Sequence, residues 1–258
     1  MNLHSPFDDV AELYDAIRPR YPEALFAELE HAAQLQPDAY LLEIAPGTGQ
    51  ATLPLARRGY QITAVELGDN MARIAREKLK DYPRVEIINS PFEGVDLPLA
   101  GFDLVYAASA LHWIAPEVRF AKPHAHLKRT GHLAIIRRNK VSGEGSDRFA
   151  NAIQSVYQRY ERDATRTRAF SLRRLSEVTP QPLDQALFEL KCFRTFPLVM
   201  HYSADDYAKL FSTISSTILM APHARASLLG DIRRLINERF DGEVDQHYAM
   251  SLLVARKK

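Results

Sequence analysis

Apolar positions in the first half of the chain fall into short continuous runs separated by stretches of helical spacing, and that alternation predicts an α/β protein. Leu41, Leu42 and Ile44 form a run that stops at Ala45-Pro46-Gly47-Thr48-Gly49, which suits a strand buried on both faces of a parallel sheet. A helix is predicted from about residue 50. A strand follows over 62–65, stopping at Glu66, and then a helix over 71–80 with Asp69 or Asn70 as its N-cap. Further strands are predicted at 85–88, 102–108 and 133–137, and a helical stretch at 116–127 that is interrupted by Pro123. Ahead of all these, Phe7, Val10, Ala11, Leu13, Tyr14 and Ile17 recur at helical spacing. Arg18-Pro19-Arg20-Tyr21-Pro22 stops that helix, and Pro22 opens another that reaches about residue 34.

Beyond residue 140 the pattern changes. Ser142-Gly143-Glu144-Gly145-Ser146 reads as a linker, a helix is expected over 147–162, and Pro180 and Pro182 mark a break. A strand over 188–200, helices over 204–218 and 222–240, and a closing strand over 248–255 complete the chain. The second of those helices is amphipathic through Leu228, Leu229, Ile232, Leu235 and Ile236. Three parts are expected: N-terminal helices and an α/β core at 1–140, a helical insertion at 141–187, and completing strands and helices at 188–258.

Composition narrows the class. The chain has 258 residues, 46% of them hydrophobic, enough for a full core. Its 33 basic and 32 acidic residues leave a net charge of +1, which offers no electrostatic footprint for nucleic acid or an anionic membrane. Cys192 is the one cysteine, so no internal disulfide can form. The first residues lack the apolar core of a signal peptide, and no run approaches the length that spans a bilayer. The expected location is cytoplasmic. No metal site is expected, since His124-x-His126 on a helix points its imidazoles apart.

The chemistry concentrates at the glycine turn. Gly47 and Gly49 let backbone approach a ligand closely, and a carboxylate at the end of the next strand, Glu66, is placed to accept from two ribose hydroxyls. That combination predicts a nucleoside cofactor. Glu43, in the last turn of the first strand, would repel a pyrophosphate and attract an ammonium. Thr52 stands where a dinucleotide fingerprint has its third glycine.

Glu43-x-Ala45-x-Gly47-x-Gly49 resembles motif I of the class I S-adenosylmethionine-dependent methyltransferases, with Ala45 in place of the first glycine. The segment F-x-x-x-A-x-x-Y-x-x-x-R-P-x-Y-P beginning at Phe7 resembles the N-terminal lid of the small-molecule branch, similar to trans-aconitate methyltransferase-like enzymes. Ala108-Ser109-Ala110-Leu111-His112-Trp113 resembles that group's A-x-A-x-H-W segment. The resemblance spans essentially the whole chain, strongly to about residue 140. It implies a doubly wound, mostly parallel sheet of seven strands in order 3-2-1-4-5-7-6, with the last strand antiparallel, N-terminal helices and an inserted helical cap. It also implies methyl transfer from S-adenosylmethionine, with S-adenosylhomocysteine as product, to a small-molecule acceptor.

The residues it implies for the cofactor are Tyr14, Arg18, Glu43, Ala45, Gly47, Thr48, Gly49, Glu66, Met71, Ser90, Phe92 and Ala107. Within that set Tyr14 and Arg18, with Tyr21, act as lid residues, and Arg18 is a candidate carboxylate clamp. Pro91 occupies the place of the Asp that the group uses for the adenine amine, which leaves Ser90 or Glu93 to accept and Phe92 to offer its N–H and ring. His112 and Trp113 are the expected catalytic pair, His112 as a general base or as an orienting group. Arg137, Arg138 and Asn139 end the fifth strand on the ligand side. Two other functions fit the same turn: a doubly wound oxidoreductase, and a nucleotide-binding protein without transfer activity. A monomer or homodimer, with no nucleic-acid or membrane partner, completes the expectation.

Overall fold

The computed structural model describes residues 7–143, 146–160 and 173–258, with the backbone alone at 146 and 147. In chain order the elements are α1 (Ala11–Ile17), α2 (Glu23–Ala33), β1 (Tyr40–Ile44), α3 (Thr52–Arg57), β2 (Gln61–Glu66), α4 (Asp69–Leu79), β3 (Val85–Asn89) and β4 (Phe102–Ala108). A 3-10 turn (Leu111–Trp113) follows, then α5 (Ala121–His126), β5 (Leu127–Lys140), α6 (Ser146–Gln158), β6 (Phe188–Ser203), α7 (Ala204–Ser212), α8 (Ser215–Ile218), α9 (Pro222–Arg239) and β7 (Glu243–Lys257).

One compact unit comprises Arg20–Arg138, Thr179–Phe196 and Met250–Lys258. The seven strands form one sheet in order β3-β2-β1-β4-β5-β7-β6, the order the resemblance implied. β1 pairs in parallel with β2, through Leu41↔Ile62 to Ile44↔Val65, and with β4 through Leu41↔Leu104 to Glu43↔Tyr106. β2 pairs in parallel with β3, and β4 with β5. Each crossover carries a helix or turn, as parallel strands require. Leu42, Ile44, Val65, Val105, Ala107, Leu133, Ile135 and Leu253 make one buried cluster. The reversal of strand order lies between β1 and β4, so the carboxyl ends of these two strands flank the crevice where such sheets bind ligands.

Four local expectations change. The N-cap of α4 is Gly68, without a side-chain cap bond, because the helix begins at Asp69 itself. The helix expected over 116–127 shrinks to α5, since the Arg119 guanidinium folds back onto the Ile114 carbonyl at 2.8 Å and the preceding residues form turns. β5 begins at Leu127 instead of 133: Leu127 pairs with Phe102, the register shifts between Phe102 and Leu104, and residues 128–132 become an irregularity inside a long strand. Gly131 permits this, because a Cβ there would lie 2.9 Å from Leu127 Cδ2 and 3.1 Å from the Phe102 carbonyl. The helix expected over 204–218 breaks at Thr213, whose hydroxyl donates to the Leu210 carbonyl at 2.7 Å.

The other compact unit comprises residues up to Pro19, Asn139–Val178 and Pro197–Ala249. The expected helix over 147–162 is α6 for its described part, and its last residues lie outside the described ones. α9 packs against α7 and α6, and α1 against α7. The core is aromatic: Phe149 meets Tyr207 and Phe240, and Tyr207 meets Phe211 with ring centres 5.0 Å apart. Into it runs Lys140, whose ammonium is buried 4.7 Å from the centre of the Phe211 ring. Burial, and then the nearby Arg18 charge, push the Lys140 ammonium down to about 7.

A lysine whose folded pKa is depressed binds fewer protons in the native state than in the unfolded chain between the two values. The contribution of Lys140 to native stability therefore rises with pH from about 7 to about 10. Lys140→Met should raise the unfolding free energy at pH 7 by about 2–3 kcal/mol, with the gain shrinking as pH rises, in urea unfolding followed by circular dichroism. Among the described residues no helix is long and apolar enough to cross a membrane.

Candidate cofactor site

The site begins where β1 ends. Ala45, Gly47 and Gly49 all take positive φ, at 50°, 60° and 76°, so the turn left by the apolar strand is left-handed three times in five residues. Gly49 needs its hydrogen for two reasons. Its φ suits glycine, and a Cβ there would sit 3.2 Å from Leu79 Cδ1 and 3.7 Å from the Ala75 Cβ on α4. At Gly47 a Cβ would meet nothing within 4 Å, so this glycine faces open space and its backbone is accessible to a ligand.

Ala45 carries a methyl group through the same left-handed region and is half-buried. Ala45→Gly should stabilise the protein by about 0.5 kcal/mol, the relief of left-handed strain exceeding the extra freedom of the unfolded chain; urea unfolding measures it.

Glu66 ties the turn to the second strand. Its Oε2 accepts from the Gly47 N–H at 2.8 Å and its Oε1 from the Gly68 N–H at 2.8 Å, so the carboxylate bridges the glycine turn and the start of α4. Asn89 Nδ2 donates to the Glu66 carbonyl at 2.9 Å and the Ser90 N–H donates to the same oxygen, which fixes the end of β2 against that of β3.

Glu43 is completely buried. Its Oε2 accepts from Thr52 Oγ1 at 2.6 Å and from the Tyr106 hydroxyl at 2.7 Å. Oε1 has no hydrogen-bond partner among the described residues, and neither does the buried Nε2 of Gln50, the residue after Gly49. Burial raises the Glu43 carboxyl to about 7, against the opposing pull of the Thr52 and Tyr106 hydrogen bonds, with the Glu66 charge a smaller upward push. Thr52 is thus a donor to the acid of β1, while α3 begins at Thr52 and not at residue 50. Tyr106 and Gln50 escape sequence reading: a tyrosine in an apolar strand looks like core, and only the register Glu43↔Tyr106 brings it to the acid.

The remaining expected residues distribute as follows. Thr48 and Met71 are buried at the turn and at the first turn of α4, and Ala107 is buried within β4. Ser90 is half-buried, its hydroxyl 3.3 Å from the Pro91 carbonyl. Phe92 lies in the core cluster with the Lys122 ammonium 5.2 Å from its ring centre, so the expected open aromatic face is covered by protein. Glu93 Oε1 accepts from the Ala115 N–H at 3.2 Å, which fastens this loop to the segment after Trp113. Tyr14 and Arg18 belong to the other unit. There the Arg18 guanidinium lies 4.9 Å from the Tyr14 ring centre and donates through Nη2 to the Thr213 carbonyl at 2.6 Å and through Nε to its hydroxyl at 2.9 Å.

Beyond β4, Ser109 turns the chain at φ 59°, and its hydroxyl lies 3.1 Å from the Tyr21 hydroxyl, beneath the guanidinium of Arg138. His112 and Trp113 follow in the 3-10 turn with ring centres 4.6 Å apart. Arg119 clamps this turn by donating to the carbonyls of His112 and Ile114. Partial desolvation, and then the charges of Arg137 and Arg119, lower the His112 imidazole below its ordinary value, so it is neutral at pH 7. Of the adjacent arginines, Arg137 is the one whose charge reaches His112, and Arg138 turns to Tyr21. Among the described residues no cluster of His, Cys, Asp and Glu has a geometry for metal.

Residues 42–135 match the family model described as Methyltransferase domain. Over 117 residues the chain is 37% identical to an rRNA adenine N-6-methyltransferase of Saccharopolyspora erythraea, covering 41% of this chain and 31% of that protein. Over 73 residues it is 34% identical to ribosomal RNA small subunit methyltransferase A of Alkaliphilus metalliredigens, covering 28% of this chain and 25% of that one. The chain therefore spans about a third or less of the length of these curated relatives.

Among solved structures, a candidate type II methyltransferase from Anaeromyxobacter dehalogenans superposes with a TM-score of 0.62 at 21% identity, covering 93% of this chain and 97% of that one. The [4+2]-cyclase SpnF superposes with a TM-score of 0.59 at 16% identity, covering 99% and 95%. These likenesses concern the fold, which evidently carries more than one chemistry. The matched stretch runs from β1 into β5 and takes in the glycine turn, Glu43, Glu66 and the end of β4.

Proposed function

We propose that the protein transfers a methyl group from S-adenosylmethionine to a small-molecule acceptor. The observation that carries the cofactor reading is the Glu66 carboxylate, held at both oxygens by backbone N–H groups at the end of β2, beside a glycine whose face is open. The residues present fit the group. Glu66 would hold the ribose hydroxyls, the Gly47 backbone would admit the chain that joins ribose to sulfur, and the unsatisfied oxygen of Glu43 would take an ammonium or its bound water. When bound, the cofactor supplies a methyl group already activated on a sulfonium.

The protein's own part is positional and protolytic. The turn and the end of β4 fix the approach of an acceptor, and Trp113 beside His112 excludes water from part of its surface. A neutral His112 can take the proton of an acceptor hydroxyl or amine. The small-molecule reading rests on the near-zero net charge, which offers no stripe for a phosphate backbone. A nucleic-acid acceptor is the second reading, since the curated relatives bear rRNA names over the part they share with this chain.

One experiment separates the two: transfer of tritiated methyl from S-adenosylmethionine to a panel of small acids, amines, phenols and thiols, beside deproteinised rRNA. Label on a small acceptor supports the proposal. Label on rRNA alone overturns its acceptor half, and binding of NAD in place of S-adenosylhomocysteine overturns the cofactor half.

A further inference from the structure

Glu43 is an odd residue for its place. It sits in the centre of a parallel sheet, in a strand otherwise apolar, with no cation among the charges that reach it. Buried carboxylates of this kind are kept only where their surroundings make the charge tolerable or a ligand does so. The surroundings are specific. From β4 comes Tyr106, the register partner of Glu43, and from the start of α3 comes Thr52, and both donate to the same oxygen. From β2 comes only the Glu66 carboxylate, a like charge. Burial lifts the Tyr106 phenol well above its ordinary range, so it stays protonated and can only donate to a charged Glu43. The other oxygen of Glu43 is left without a partner among the described residues.

We propose that Tyr106 and Thr52 are positioning residues that act through Glu43: by occupying one oxygen they favour its ionised form and leave the other for an ammonium-bearing ligand, so that affinity for the amino-acid end of the cofactor depends on the protonation of Glu43. This rests on the cofactor reading above and adds to it a pH gate and two residues that donate to Glu43 without touching the ligand. The direction follows from the charges. A protonated Glu43 has lost its attraction for an ammonium, so affinity rises with pH through the titration of Glu43, near 7 in the free protein, and the ligand's ammonium lowers that value, releasing a proton on binding. Removing the Tyr106 hydroxyl takes away a bond that favours the charged form, so the rise moves to higher pH. A purely structural role for Tyr106 would weaken binding equally at every pH.

The test is calorimetric titration of the full chain with S-adenosylhomocysteine at several values between about pH 5.5 and about pH 8, for the unaltered protein, Tyr106→Phe and Thr52→Val. 5′-Methylthioadenosine, which has the nucleoside but no amino-acid end, is the control ligand. Affinity of the unaltered protein for S-adenosylhomocysteine should rise about tenfold across the range while that for methylthioadenosine stays level, and Tyr106→Phe should move the midpoint up by about half a unit or more. Should the variants fail to fold, proton release by the unaltered protein, read as the dependence of binding heat on buffer ionisation enthalpy near pH 7, carries the test alone. A level profile, equal dependence for both ligands, no proton release, or an unmoved midpoint in Tyr106→Phe overturns the inference while leaving the cofactor reading intact. Binding of neither ligand at any pH overturns the cofactor reading, and the inference with it.

Discussion

Glu66→Ala is expected to weaken S-adenosylhomocysteine binding by a factor of about 100 and to lower stability by about 2 kcal/mol. Two losses combine. The ligand loses a charged acceptor for its ribose hydroxyls, and the protein loses the bridge between the N–H groups of Gly47 and Gly68, both at 2.8 Å. With the carboxylate gone the two amides must find water or stay unpaired, and Gly47 is no longer held in its left-handed turn. Calorimetric titration and urea unfolding read the two parts separately. Glu66→Gln separates them further, because the amide keeps one acceptor oxygen and loses the other, so stability should fall by about half as much while affinity still drops at least tenfold. Unchanged affinity in both variants would remove Glu66 from the site.

His112→Asn is expected to reduce kcat by a factor of about 100 or more, with KM for the cofactor nearly unchanged, for any acceptor that must lose a proton. The imidazole is partly desolvated and faces the charges of Arg137 and Arg119, so it is neutral across the physiological range. Activity should therefore fall only on the acid side, below about pH 6.5, where protonation removes the base. Arg137→Gln should shift that acid limb upward, because it removes a charge that disfavours the imidazolium. A kcat in His112→Asn within threefold of the unaltered protein would mean that the residue orients the acceptor without taking its proton. An acid limb unmoved by Arg137→Gln would assign that limb to another group.

Much of the sheet was legible because each strand obeys a local rule. The runs at 41–44, 62–65, 85–88 and 102–108 are short, apolar and bounded by turn residues, and each appears within a residue or two of its expected ends. β5 and the helix before it were less so. Leu127-Lys128-Arg129-Thr130-Gly131 carries turn chemistry, yet pairing of Leu127 with Phe102 draws it into the strand. Thr213 divides α7 from α8 for a similar reason: its side chain bonds back to Leu210 and receives Arg18 from a segment about 200 residues away, a partner no local pattern contains.

The amino-acid sequence by itself determined which residues the proposed site uses. Gly47 and Gly49 at a strand end, an acid at Glu43, another at Glu66 and the His112-Trp113 pair are local signals, since each depends on backbone freedom or charge within a few residues. Tertiary structure alone decided how those positions are tuned. That Glu66 is gripped by two backbone amides, that Tyr106 and Thr52 converge on one oxygen of Glu43, and that Arg137 and Arg119 are the charges felt by His112 all follow from the fold. Lys140 shows the same division. Its charge is plain in the sequence, but the aromatic packing of Tyr207 and Phe211 around its ammonium, and the titration near neutrality that results, exist only once β5 and α7 have met. Burial and hydrogen bonding are properties of neighbours in space, and the fold supplies those neighbours.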